Sequence, residues 1–459
     1  MDDRTKEIIK ITDNTFSKTF CFAKWYHTTI YLQTGETHSC YHPAPHRIDI
    51  NEIKNNPSAL HNTQAKKLER LEMLEGKKCR GCQYCWNIES LGPDYVSDRH
   101  IRSASLYTED RLNEIKNNTW DYDVSPDYIE ISFGNECNFK CGYCHPRASS
   151  RFYNEIKQHG PYEKVITHKN NIDWLKIYQE DSNEYVDAWL KWWPEVSKTL
   201  QILRITGGEP TIQKTTYKLF EELENNPKPH LELNVNSNLG GKPQQLEIFT
   251  NCVNSLLEGK KIKQFKLFSS IDTWGPRAEY IRNGLDLSIW EKNLDYFLTK
   301  TDAPITFMVT FNILTVTTFQ LLLEKILEWR KKYNNVTSNR WQRIHFDTPY
   351  LKEPLLYDMN ILPKDEYVHY MEKHLNFIKS NLDDSSKYAF STLEYQKFRR
   401  VVEYMKATEY SIEKISVGRS DFYNFFTEHD NRRSTDFLRT FPEMEKFFME
   451  CKQLASGTA

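Results

Sequence analysis

The chain has 459 residues, with 61 Lys plus Arg against 63 Asp plus Glu and a formal net charge of −2. That length allows two or three domains of ~100–200 residues, and the charge balance argues against a dedicated polyanion binder, which carries a basic excess. Mean hydropathy is −0.70, no apolar run approaches the ~18 residues of a membrane span, and the charged start MDDRTKEIIK lacks a signal peptide's apolar stretch, so a cytoplasmic protein without a membrane partner is expected.

Residues 28–40, TTIYLQTGETHSC, read as a strand, a Gly-containing turn and a second short strand, and 51–75 as polar helix. From about 127 the pattern becomes strands alternating with helices. DYIEISF (127–133), QILRIT (201–206), LELNVN (231–236), QFKLFSSI (264–271), PITFMVTF (304–311) and RIHF (343–346) are the strands. TTYKLFEELEN (215–225) and FQLLLEKILEWRKKY (319–333) are among the helices between them. Six such strands predict a parallel α/β sheet or partial barrel, whose chemistry sits at the strands' C-terminal ends. The first two strands are separated by far more than a plain crossover of ~30 residues. The surplus, including DAWLKWWPEV, reads as an extra helix burying its tryptophans, with a lid beside the site as the alternative. Beyond about 360 the chain reads as helices.

The ten cysteines stand at 21, 40, 79, 82, 85, 137, 141, 144, 252 and 451. Clustered thiols in a cytosolic chain read as metal ligands or redox groups rather than disulfides. DYIEISF runs directly into GNECNFKCGYC, which puts Cys137, Cys141 and Cys144 on one short loop at a strand's C-terminal end. Three thiolates there can hold three irons of a cubane and leave the fourth open, as catalysis needs. A zinc site with His145 as fourth ligand is the competing reading, although zinc spacings are usually paired and adjacent Cys144 and His145 chelate one ion awkwardly.

The C-x3-C-x2-C loop with Tyr143 before its last cysteine resembles the signature of radical S-adenosylmethionine (SAM) enzymes. The resemblance continues in Gly207-Gly208-Glu209-Pro210, which matches that family's GGEP motif, in Asn236 at the end of the third strand, and in Ser270-Ile271-Asp272 followed by Arg282-Asn283-Gly284. It extends more loosely to Thr310-Phe311-Asn312-Ile313 beside the adenine. The resemblance implies a partial (β/α)6 TIM-type barrel over 126–358. It implies a 4Fe–4S cluster on Cys137, Cys141 and Cys144 that chelates the amino and carboxylate groups of SAM. Tyr143, Gly207, Gly208, Glu209, Pro210, Asn236, Ser270 and Arg282 are then SAM contacts: Glu209 for the ammonium, Ser270 for the ribose and Arg282 for the carboxylate. It also implies one-electron cleavage of SAM, hydrogen abstraction by the resulting 5′-deoxyadenosyl radical, and a flavodoxin- or ferredoxin-like reductant.

Cys21, thirteen residues, Gly35, four residues and Cys40, followed later by CRGCQYCWNIE, resembles the twitch and SPASM auxiliary-cluster domains that accompany many of these enzymes. Glycine suits the hairpin turn. The resemblance implies a small N-terminal domain over 1–125 with one auxiliary 4Fe–4S cluster on Cys21, Cys40, Cys82 and Cys85. Two departures stand against the pattern: the domain precedes the core instead of following it, and Cys79 is a fifth thiol that can replace Cys82 or Cys85, stand spare or assist electron transfer. A structural zinc on four of the five thiols is the competing reading. A cluster with four thiolates has no iron open to substrate, so its expected work is electron transfer. Residues 359–459 are a helical extension.

Asp272 and Glu279 are considered as bases for a substrate radical, HDNRR (429–433) as an anion site or a set of ion pairs, and YHPAPHR (41–47) as a loop. Cys252 and Cys451 read as ordinary buried or partly buried structural thiols. The reading is a radical SAM oxidoreductase acting on a peptide or small molecule. A sugar- or nucleotide-like substrate is the runner-up, and a non-catalytic zinc or nucleic-acid-binding protein is the rival class.

Overall fold

The computed structural model describes residues 3–90, 92, 96–168, 170–178, 182–333 and 342–457. Its centre is a nine-stranded sheet in the order β3-β2-β1-β4-β5-β6-β7-β8-β9. The strands are β1 (His27–Tyr31), β2 (Glu36–His38), β3 (His46–Arg47), β4 (Tyr128–Ser132), β5 (Ile202–Thr206), β6 (Lys228–Ser237), β7 (Ile262–Ser270), β8 (Ile305–Met308) and β9 (Ile344–Asp347). From β4 to β9 neighbours pair in parallel in sequence order, the arrangement that alternating strands and helices produce.

The six parallel strands expected from the sequence are present, and a seventh, β1, joins them beside β4, with the β2–β3 strands beyond it. His27 to Tyr31 pair in parallel with Tyr128 to Ser132, so the sheet runs across the boundary expected near residue 125. The β1–β2 hairpin is antiparallel and turns through Gly35 at φ +64°, where an added Cβ would lie 2.2 Å from the Tyr185 ring. Turn chemistry reveals such a hairpin locally, whereas a parallel neighbour a hundred residues away leaves no local mark.

One face of the sheet is apolar. Ile131, Ile205, Val235, Leu267, Phe307 and Phe346 are buried there in a core shared with the surrounding helices. The alternate positions, set by the two-residue strand period, carry Glu130, Arg204, Asn236, Lys266 and Ser270. The long connection from β4 to β5 contains the helix Glu184–Val196, which buries Trp189, Trp192 and Trp193. It also contains a loop that leaves the core and meets the C-terminal helix Ile412–Arg433, where Asp421 accepts from Ile166 N and Thr167 N. The surplus chain is thus part core helix and part clamp. Among the described residues no helix is long and apolar enough to cross a membrane.

Candidate functional site

Cys137, Cys141 and Cys144 follow directly from the C-terminal end of β4. Local bonds shape their loop. Cys144 N donates to Cys141 O (3.0 Å), Ser149 Oγ to Phe139 O (2.7 Å) and Cys137 N to Ser150 Oγ (3.1 Å). The turn after β5 runs alongside, with Gly208 N donating to Gly134 O (3.1 Å) and Glu209 N to Glu136 O (2.7 Å). Glycine is required here by close approach: a Cβ on Gly208 would lie 2.1 Å from Glu136 O. The GGEP turn therefore grips the cysteine loop's own backbone, in addition to the SAM contact that the resemblance implied for Gly207 and Gly208.

A cavity of about 220 Å³ opens between these loops. It is lined by the three cysteines together with Tyr143, Gly207, Gly208, Glu209, Asn236, Ser270, Arg282 and Thr310. Of the residues singled out from the sequence, Pro210 does not line it but opens the 3-10 turn Pro210–Ile212. Phe311, Asn312 and Ile313 are buried in the core, leaving only Thr310 at the cavity. Glu209 is buried and saturated by protein donors: Thr211 Oγ1 (2.6 Å), Ser237 Oγ (2.7 Å) and Asn238 N (2.6 Å). It ties the turn after β5 to the end of β6. Asn236 accepts from Arg204 Nε (2.9 Å).

Arg282 is 5% exposed. Its Nη2 donates to Asp272 Oδ1 (2.7 Å), its guanidinium lies 5.6 Å from the Tyr143 ring centre, and its Nε is buried with no hydrogen-bond partner. A buried donor without a partner is costly, and Arg282 is among the residues that line the cavity. Burial pushes the thiols of Cys137 and Cys141 up and that of Cys144 to about 12. Arg282, and for Cys141 also Arg433, pulls the other way.

Several residues support the loop in roles that the sequence did not reveal. Asp272, considered there as a base, is fully buried and accepts from Tyr143 Oη (2.8 Å), Arg282 Nη2 and Thr310 N (2.9 Å). Arg433 donates to Lys140 O (2.6 Å) and clasps Glu155. His168 Nε2 lies 2.9 Å from Gly142 O. The HDNRR segment thus forms ion pairs, Arg432 with Glu428 and Arg433 with Glu155. His145 caps the next turn through Arg147 N. Glu279 accepts from Leu287 N, away from the cavity.

The second set of cysteines lies at the opposite end of the sheet. Cys21 precedes β1 and Cys40 follows β2, so both belong to the N-terminal end of β1 and β4. Cys21, Cys40, Cys82 and Cys85 line one cavity with Lys24, Tyr41, His42, Asp98, Arg99 and Arg102. Cys79 is outside that lining, and its Sγ lies 3.2 Å from Glu69 O. In the YHPAPHR loop His42 pairs with Asp98 (2.6 Å) and His46 with Thr63 (2.9 Å). Cys252 is half-buried and Cys451 buried, each within a helix.

Residues 131–258 match the family model described as the radical SAM superfamily. A radical SAM superfamily domain is present in this chain. Among curated proteins the chain is similar to the GTP 3′,8-cyclase of Nautilia profundicola, 24% identical over 112 residues, which are 24% of this chain and 27% of the relative. It is also similar to the enzymes of that name from Helicobacter pylori, 28% over 88 residues (19% and 20%), and Staphylococcus haemolyticus, 27% over 95 residues (21% and 22%). The similarity thus spans about a quarter or less of these relatives' length. The radical SAM domain brings a SAM-binding 4Fe–4S cluster and SAM as its cofactors. The cavity's lining suits them: three thiols on one loop and the guanidinium-bearing Arg282 beside them, a partner for a carboxylate.

Proposed function

We propose that this protein is a radical SAM oxidoreductase with one auxiliary 4Fe–4S cluster, acting on a small nucleotide-like substrate. The observation that carries the reading is the convergence of Cys137, Cys141, Cys144, the GGEP turn and Arg282 on one cavity at the C-terminal ends of the parallel strands. With both groups bound there, the cluster supplies the electron that cleaves SAM to a 5′-deoxyadenosyl radical.

The protein's part is orientation and exclusion of water. Arg282, held by Asp272, lines the cavity and is the residue that would pair with the SAM carboxylate. Ser270 and Asn236 stand at strand ends as ribose partners. Glu209 acts by positioning, because its carboxylate already takes four protein donors. The polar sheet face carrying Glu130, Arg204 and Lys266 runs between the two cysteine sets, and substrate held along it lies between the clusters. Cys21, Cys40, Cys82 and Cys85 are the auxiliary ligands in this reading, with Cys79 spare. Those four thiols would hold the cluster, and the chemistry it would supply there is acceptance of the electron left on the substrate.

The curated relatives act on GTP by their printed name, and that favours a nucleotide-like substrate over a peptide. A flavodoxin- or ferredoxin-like protein is the proposed reductant. The test is anaerobic reconstitution with iron and sulfide, followed by SAM, reductant and a panel of nucleotides and peptides. A nucleotide that raises 5′-deoxyadenosine formation and transfers its hydrogen to that product supports the reading. A response to peptides alone overturns the substrate class, and two bound zinc ions with no SAM cleavage establish the rival non-catalytic protein.

A further inference from the structure

The turn after β6 is built around Asn238, a side chain that the resemblance left unassigned. Asn238 is 7% exposed and lines the cavity together with the three cysteines. Its amide belongs to a closed ring of hydrogen bonds. Asn238 Oδ1 accepts from Gly240 N (2.8 Å), Gly240 O accepts from Asn138 Nδ2 (2.7 Å), and Asn138 Oδ1 accepts from Asn238 Nδ2 (2.7 Å). A backbone N–H can only donate and a backbone carbonyl can only accept, so the ring fixes which way both amides face. One proton of Asn238 Nδ2 goes to Asn138. The other is left for Cys137 Sγ, 3.9 Å from the nitrogen.

The backbone around Asn238 is held at a cost. Leu239 sits at φ +51°, in the left-handed region that residues with a Cβ rarely enter. Asn293 Nδ2 secures the turn by donating to Leu239 O and Gly241 O, both at 2.8 Å, and Leu239 N donates to Ser237 Oγ (3.0 Å). Strain of this kind persists only where the surroundings over-determine it, and it gathers at functional sites. The three thiols are also unequal. Cys137 Sγ takes Phe139 N (3.4 Å) as well as the Asn238 amide, whereas among the described residues no side-chain N–H hydrogen-bonds to Cys141 or Cys144 Sγ.

We propose that Asn238 is a positioning residue for the iron–sulfur site: its amide N–H bonds the Cys137 thiolate and makes that site easier to reduce. The proposal rests on the cluster that the radical SAM domain brings to Cys137, Cys141 and Cys144, and not on the auxiliary set. Reduction adds one negative charge to a cluster and its thiolates. A hydrogen bond to a ligand sulfur stabilises that added charge, and such bonds help set the potential of iron–sulfur sites. Because the ring aims the donor, the effect belongs to the Asn238 N–H itself and is lost when that group is replaced, even where the turn is kept.

The experiment uses the full reconstituted chain, reduced in poised steps with mediators under electron paramagnetic resonance, with iron counted per chain. The signal that added SAM perturbs reports the site on Cys137, Cys141 and Cys144. Asn238→Asp keeps an oxygen for Gly240 N and replaces the donor, while Asn238→Ala removes both. The expected result is iron as in the unaltered chain with a more negative midpoint. Reduction becomes about tenfold less favourable in Asn238→Asp, ~59 mV for a one-electron couple, and about threefold less favourable in Asn238→Ala, ~28 mV. An unchanged midpoint in whichever variant keeps its iron overturns the role of Asn238. Loss of iron from both variants shows that Asn238 builds the loop and does not tune it, and this too overturns the proposal. An unaltered chain with no SAM-responsive signal overturns the cluster reading itself, and the proposal with it.

Discussion

Asp272 and Arg282 form a buried ion pair directly behind the cysteine loop: Arg282 Nη2 donates to Asp272 Oδ1 at 2.7 Å, and the two side chains are 0% and 6% exposed. The same carboxylate takes the Tyr143 hydroxyl through its other oxygen. One aspartate thus fixes both the aromatic residue of the cysteine motif and the cation at the cavity. Asp272→Asn leaves Arg282 as an uncompensated buried charge, which costs about 3–5 kcal/mol. The expected outcome is a destabilised protein that retains iron but binds SAM at least about tenfold more weakly, measured by denaturant titration and equilibrium binding.

Gly208 makes a sharper steric prediction. A Cβ there would meet Glu136 O at 2.1 Å, and backbone cannot swing aside as a side-chain end can. Gly208→Ala is expected to lower stability by roughly 2–3 kcal/mol and to reduce iron at Cys137, Cys141 and Cys144 specifically, leaving auxiliary iron in place. Iron counting in this variant and in a Cys40→Ala control separates the two sites.

Glu155 links the C-terminal helix to the cysteine loop through Arg433 and Lys140. Burial pushes its carboxyl up, but hydrogen bonds from Arg433, Lys140 and Tyr162 outweigh that and hold it at about 2, below the ordinary 4.5. A carboxyl whose folded value is depressed contributes stability that is present above about 4.5 and lost as pH falls through about 2. With partial screening the contribution is on the order of 2 kcal/mol. Acid denaturation of the native chain should therefore steepen across that window, and Glu155→Gln should flatten it while lowering stability near neutral pH.

The sequence exposes what is local and periodic. The six strands from β4 to β9 and the hairpin turn at Gly35 are legible because strand period and turn chemistry act within a few residues. The cysteine loop and the GGEP turn are legible as spacing. Less legible are ties between distant parts of the chain: the parallel pairing of β1 with β4, Asp272 reaching Tyr143 across 129 positions, and Arg433 reaching Lys140 across 293. Asp272 and the HDNRR segment stand out in the sequence, but their partners Tyr143 and Lys140 become visible only when the fold brings them together. Glu209 illustrates the converse. Its motif is plain in the sequence, yet its carboxylate is spent on Thr211, Ser237 and Asn238.

The two cysteine sets should separate functionally, because they occupy opposite ends of the sheet. Cys40→Ala is expected to leave SAM cleavage intact and to abolish net oxidation of substrate, so that 5′-deoxyadenosine forms without matching product. Normal substrate turnover by Cys40→Ala, followed by chromatography of both products, would remove the electron-acceptor role.

The most direct measurement is the formation of 5′-deoxyadenosine from SAM by the oxygen-protected, iron-reconstituted chain under a strong reductant, compared with Cys141→Ala treated identically. The account predicts that the nucleoside accumulates with the unaltered chain and is absent with the variant. Equal cleavage by both proteins, or an unaltered chain that holds no iron at Cys137, Cys141 and Cys144, would contradict it.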